Sequence, residues 1–198
     1  MNDVALIDAF VAEFPKRDNR IFREFSLPGG VTPEDVAPLL TEPWQVIEDV
    51  DGWATWQPLR VQTSPDALKV FYETMLGPLP PLYERLILAW HWGEVDLDTY
   101  RLLPNFPPPL DGLIKGIKAD AFLFRVLSSN GFVQFGRGPD IDYDPVCFDL
   151  NKRSPDGDCA IVKVDHEEAL NDERLRIVAV LADSFRDLVQ QTMASRNR

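Results

Sequence analysis

The chain has 198 residues, with 32 Asp and Glu against 20 Lys and Arg and a net charge of −12. A hydrophobic share of 45% and a charged share of 26% are those of an ordinary folded domain, which excludes disordered, collagenous and coiled-coil classes. The acidity disfavours nucleic acid and anionic membranes as partners, because both would repel it at long range. Cys147 and Cys159, the only cysteines, are too few for a disulfide framework and lack zinc spacing, so they read as reduced, partly buried thiols. The first residues, MNDVALIDAFVAEF, have no basic region and are interrupted by Asp3, Asp8 and Glu13. They do not read as a signal peptide, and no run reaches the ~18 apolar residues of a membrane span. The expected location is the cytoplasm.

Val4, Ile7, Phe10, Val11 and Phe14 have helical spacing and predict a docking helix that ends near Pro15. Leu27 to Gly30 reads as a loop, and Thr32-Pro33-Glu34-Asp35 as a capped helix start. Asp51-Gly52, between two β-prone runs, predicts a hairpin turn. Ser64-Pro65-Asp66 opens a helix with Leu68, Phe71, Tyr72 and Met75 inside, closed by Gly77. Pro80-Pro81 starts another, capped by Gly93. Leu97 to Leu103 predicts a strand, Asn105 to Pro109 a loop, and Ala121 to Leu127 a strand joined through Asn130-Gly131 to a strand over Gly131 to Phe135. Asp144 to Leu150 and Cys159 to Asp165 predict two more strands, with a Pro155-Asp156-Gly157 turn between them. Asn171-Asp172-Glu173 is read as the cap of a long final helix with Leu175, Val178, Leu181, Phe185, Leu188 and Val189 inside. The expected fold is α+β: a single domain, an antiparallel-dominated mixed sheet flanked by helices, and a long C-terminal helix.

Catalytic signatures are scarce. His91 lies between two tryptophans and reads as a packing residue. Asp165-His166 is half of a triad with no Gly-x-Ser-x-Gly elbow, and the structural reading of His166 is the stronger one. Asp140, Asp142 and Asp144 alternate, so an extended chain would bring them to one face, where they could hold Ca²⁺ or Mg²⁺. The calcium-loop template fails, because Pro145 stands at its glycine and Asn151 at its closing glutamate. No metal and no cofactor is expected. Residues 140 to 173 hold eleven acids and three bases, which is eight of the net negative charges. Such a field speeds encounter with a basic protein, and the nearby Tyr143, Phe132 and Trp92 are candidate aromatic anchors, of which Phe132 reads better as core.

Several segments are similar in order and spacing to the SUKH superfamily, which includes fungal cell-wall-synthesis regulators and bacterial immunity proteins. Leu79-Pro80-Pro81-Leu82-Tyr83-Glu84-Arg85-Leu86 resembles the family's Leu-Pro helix opening. The helix ends in Trp90-His91-Trp92-Gly93-Glu94, where the family often has an Asn-Gly-Gly turn. Tyr100 to Pro104, Phe132 to Gly136, Tyr143 to Leu150, Asp156 to Val162, Asp165-His166-Glu167 and Ala182 to Leu188 resemble the strands and terminal helix that follow. The resemblance implies a core over 78–190, a preceding region 1–77 belonging to the same domain, and a frayed tail over 191–198.

It also implies binding in place of catalysis: a non-enzymatic immunity protein that neutralises a cognate toxin, for example a nuclease. The expected recognition surface is Asp140, Asp142, Tyr143, Asp144, Asp156, Asp158, Glu167 and Glu168. The partner would be the toxin or another basic protein, with no nucleic acid and no membrane. The alternatives are a metal-dependent hydrolase using the Asp140, Asp142 and Asp144 cluster with His166, and an intracellular regulatory scaffold.

Overall fold

The computed structural model describes residues 2–17, 19–22, 27, 29–47, 50–74, 77–107, 110–139 and 141–195. In chain order the elements are α1 (Asp3–Val11), β1 (Arg20–Phe22), α2 (Pro33–Val36), β2 (Gln45–Ile47), β3 (Val50–Thr55), β4 (Leu59–Arg60) and α3 (Ala67–Thr74). They continue with α4 (Pro81–Ala89), β5 (Trp90–His91), β6 (Val95–Asp96), β7 (Arg101–Leu102), α5 (Asp111–Ile117), α6 (Ala121–Ser129) and β8 (Phe132–Arg137). The last are β9 (Pro145–Arg153), β10 (Cys159–Val164), α7 (His166–Asp172), β11 (Ile177–Ala182) and α8 (Phe185–Ala194).

The architecture is α+β, as the residue pattern predicts. Strands β6 to β11 form one six-stranded sheet in sequential order, and every pairing in it is antiparallel. Two smaller antiparallel sheets, β1-β3-β2 and β4-β5, belong to the first half of the chain. The large sheet separates two apolar layers, because successive strand side chains point to opposite faces. One face sends Val133, Phe135, Val146, Phe148 and Ile161 into the main core, with Tyr83 and Leu86 of α4 and Phe185 and Leu188 of α8. The Phe135 and Phe148 rings stack at 4.1 Å, and Tyr83 and Phe185 meet Phe148 edge-on at 4.9 and 5.8 Å. The other face sends Phe132, Cys147, Val162 and Val164 against Leu123, Val126 and Leu127 of α6 and Ala169 of α7.

Leu6, Ile7, Phe10 and Phe14 of the N-terminal region enter the main core, as do Val36, Trp56 and Phe71. Phe14 meets Trp92 edge-on at 6.2 Å. These residues of the N-terminal region therefore share an interior with the sheet. Thr32 caps α2 reciprocally with Asp35, so the capped start read from Thr32-Pro33 is present.

Several expectations are corrected. Ala121 to Leu127 is helical: Asp120 caps α6 by accepting from the N–H groups of Phe122 and Leu123, and Leu123, Val126 and Leu127 fall on one buried face. Asn130-Gly131 ends that helix, with Gly131 at φ +81°, and makes no hairpin turn. The long final helix is divided into β11 and α8, and Ser184 caps α8 by accepting from the Asp187 N–H. Its ten residues are of ordinary length. Leu97 to Leu103 is not one strand but the turn of the β6–β7 hairpin, with Asp98 at φ +69°, followed by the short β7. Asp51-Gly52 lies within β3, since Ile47 already pairs with Val50, while Glu48 and Asp49 lie outside the described residues. Helix α4 ends at Ala89 and its cap is Trp90. Gly93 is needed for another reason: a Cβ there would come within 2.7 Å of the buried Trp56 ring.

Candidate interaction surface

The acidic segment divides between the two ends of the β9–β10 ladder. Lys163 pairs with Val146 at the end where β9 starts, and Cys159 pairs with Arg153 at the end where it finishes. Asp142, Tyr143, Asp144, Glu167 and Glu168 lie at the first end, in the loop before β9 and in the first turn of α7. Asp156 and Asp158 lie at the second, in the turn after β9. Strand β9 alone is nine residues, about 30 Å when extended, so the eight expected contacts do not make one surface. Asp140 lies outside the described residues.

Asp158 is corrected most sharply. It is 8% exposed, and its Oδ1 accepts from the N–H groups of Cys159 at 2.9 Å and Phe185 at 3.0 Å. It ties the β10 start to the α8 start and offers no partner-facing carboxylate. Asp156 is exposed and is bonded by the Ser154 hydroxyl inside the turn. That bond, the largest influence, holds the Asp156 carboxyl below its ordinary 3.8.

At the other end the alternation of Asp142 and Asp144 has its geometric effect, with the sides reversed from what a metal site needs. Both carboxylates turn toward the protein. Asp142 Oδ2 accepts from Lys163 Nζ at 2.8 Å, and its Oδ1 accepts from the Asp144 N–H at 2.9 Å. Partial burial raises the Asp142 pKa, but the Lys163 and backbone hydrogen bonds outweigh it and leave it below 3.8. Asp144 Oδ1 accepts from the His166 N–H at 3.0 Å and lies 2.8 Å from His166 Nδ1. The imidazole therefore pairs with Asp144 and not with its chain neighbour Asp165, which caps α7 and pairs with Arg176. Lys163 Nζ is also 3.8 Å from Asp144 Oδ2, so an ammonium stands where a cation shared by the two carboxylates would sit. Among the described residues no group of three or more His, Cys, Asp or Glu is placed to hold a metal.

The side chains between these acids point the other way. Ile141 is 86% exposed and Tyr143 is 59% exposed. Their loop is held at both ends: the Gly138 N–H donates to the Asp144 carbonyl at 2.9 Å, and the Asp142 N–H donates to the Pro139 carbonyl at 2.9 Å. The loop packs so closely that a Cβ at Gly138 would collide with the Asp142 carboxylate. Beneath it, the Arg137 guanidinium lies 5.7 Å from the Tyr143 ring and is anchored by Glu94 at 2.9 Å. The His166 ring is 6.2 Å from the same tyrosine. Glu167 is exposed beside this loop, and Glu168 is half-buried and paired with Arg176 at 2.9 Å.

The residue pattern marks Tyr143 and misses Ile141, Lys163 and Arg137. The signal for Ile141 is an isolated large apolar residue in a run of acids. Lys163 and Arg137 arrive through strand pairing, which no local pattern shows. His91, read as a packing residue, is 2% exposed, with Nδ1 2.9 Å from the Asn105 carbonyl oxygen. Burial lowers its pKa and keeps the ring neutral. Among the described residues no helix is long and apolar enough to cross a membrane. No family model matches the chain, and no curated protein matches it.

Proposed function

We propose that this protein is a non-catalytic binding module that docks a basic partner protein through its Ile141–Tyr143 loop, and that the partner is a toxin which it neutralises. The observation that carries the reading is two large apolar side chains held out to solvent by a loop whose Asp142 and Asp144 carboxylates are tied inward. A pre-ordered loop loses little conformational entropy on binding. An exposed aromatic within a charged rim is the composition of a binding hot spot. The exposed Glu167 gives the rim its negative sign, which favours a basic surface and steers its approach. The toxin assignment rests on the resemblance to immunity proteins of the SUKH superfamily.

The test is calorimetric titration with the toxin-like product of the neighbouring gene. Tyr143→Ala should weaken binding by roughly 30-fold or more, the loss expected of a hot-spot residue. Asp156→Asn, at the far end of the ladder, should leave affinity unchanged. Equal affinity of the wild type and Tyr143→Ala would reject the loop as the docking site.

A further inference from the structure

Strand β11 is the outer strand of the six-stranded sheet and, among the described residues, has a neighbour on one side only, β10. Outer strands in natural proteins are commonly short, charged or covered, because unpaired backbone groups invite another chain. Here the strand sequence is Ile-Val-Ala-Val-Leu-Ala, with no charged residue. Ile177 is 38% exposed, Val178 39% and Val180 61%. These are three of the nine large apolar residues that the described surface exposes, and they fall within four consecutive positions.

Charges stand at the two ends of the strand. Arg174 precedes it and Asp183 follows it, both exposed, and neither side chain has a hydrogen-bond or ion-pair partner among the described residues. A single copy cannot bring them together, because the six-residue extended strand, about 20 Å long, lies between them. Two antiparallel copies can, since the start of each strand then lies against the end of the other.

We infer that β11 is a contact between two copies of this chain, related by a two-fold axis, in which Arg174 of each copy faces Asp183 of the other. The contact is isologous, so it closes at two copies and does not propagate. Two bulges interrupt the β10–β11 register, between Ile161 and Val162 and between Lys163 and Val164. A long regular ladder across the new contact is thereby excluded, and Ile177, Val178 and Val180 carry most of it. One short strand buries little area, which places the association at the weak end of specific interfaces. The inference does not depend on the Ile141–Tyr143 loop.

Sedimentation velocity of the full chain, from about 1 µM to about 500 µM, tests it in the concentration range of a small interface. The mass should rise from one chain to two with concentration. Val180→Lys should stay at one chain throughout. Arg174→Asp and Asp183→Arg should each raise the dimer dissociation constant by roughly ten-fold, since each reversal sets two like charges together twice. Combining the two reversals should restore it. Tyr143→Ala should dimerise like the wild type. All three changed side chains at the strand are exposed, and a circular dichroism melt matching the wild type establishes that each variant is folded. A single-chain mass for the wild type at every concentration would overturn the inference. So would a dimer indifferent to Val180→Lys, or a double reversal that fails to recover.

Discussion

The two ends of the β9–β10 hairpin carry the same kind of residue and use it oppositely. At the turn end, Asp158 is buried and holds two backbone N–H groups, so its carboxylate belongs to the fold. At the loop end, Asp142 and Asp144 are half-buried and hold a displayed loop in place. Counting acids along the chain treats these as one field. The structure shows that part of the field is paired nearby, Asp142 and Asp144 with Lys163 at the loop and Asp165 and Glu168 with Arg176 along α7. What distinguishes the loop end is the apolar pair that its acids expose.

This contrast can be broken by mutation. Asp158→Ala should have the largest effect, a loss of about 3 kcal/mol in urea denaturation, because two buried N–H groups lose their acceptor. If it costs less than about 1 kcal/mol, the turn-end acid is not structural. Gly138→Ala should come next. Its Cβ displaces the Asp142 carboxylate, and the expected cost is about 1 to 2 kcal/mol together with altered Tyr143 fluorescence.

Acid sensitivity separates the ends more finely. The folded-state pKa of Asp142 is depressed, so its contribution is fully present above about pH 4 and is lost as pH falls through the folded-state value. Asp142→Asn should therefore lower stability near neutral pH and flatten the acid limb below about pH 4, so that the variant and the wild type converge in strong acid. An unchanged acid limb would show that the Lys163 contact contributes nothing in solution. The smallest expected signal is in metal titration. With the Lys163 ammonium between the two carboxylates, millimolar Mg²⁺ or Ca²⁺ should give no binding heat. Tight binding would revive the hydrolase alternative.

Much of the sheet was legible in the residues. Strands β8, β9 and β10 fall where β-prone runs lie between turn residues, and Gly157 at φ +85° closes the Pro155-Asp156-Gly157 turn. The errors have physical causes. The Ala121 to Leu127 run is rich in Phe, Val and Leu, and strand propensity is a weak guide when the same residues also satisfy a helical face. Asp120, the capping residue just before it, is the local signal for the helix. Strand β11 was hidden because Leu175, Val178, Leu181 and Phe185 repeat at helical spacing. What makes it a strand is the open edge of β10, a partner that no local pattern contains. The site was legible in its residues and not in its sense. Alternation correctly placed Asp142 and Asp144 on one side, but only tertiary structure supplies the Lys163 and His166 that make this side the inner one.

Native-state hydrogen exchange at the amides of Gly138, Asp142, Asp144 and His166 tests the central claim most directly, because each donates within the loop or to its carboxylates. A pre-ordered loop predicts exchange slowed by roughly 100-fold or more relative to an unfolded chain, with the protection collapsing in Asp144→Ala. Exchange at unfolded-chain rates in the wild-type protein would contradict the account, because the Ile141–Tyr143 display would then have no fixed shape to offer.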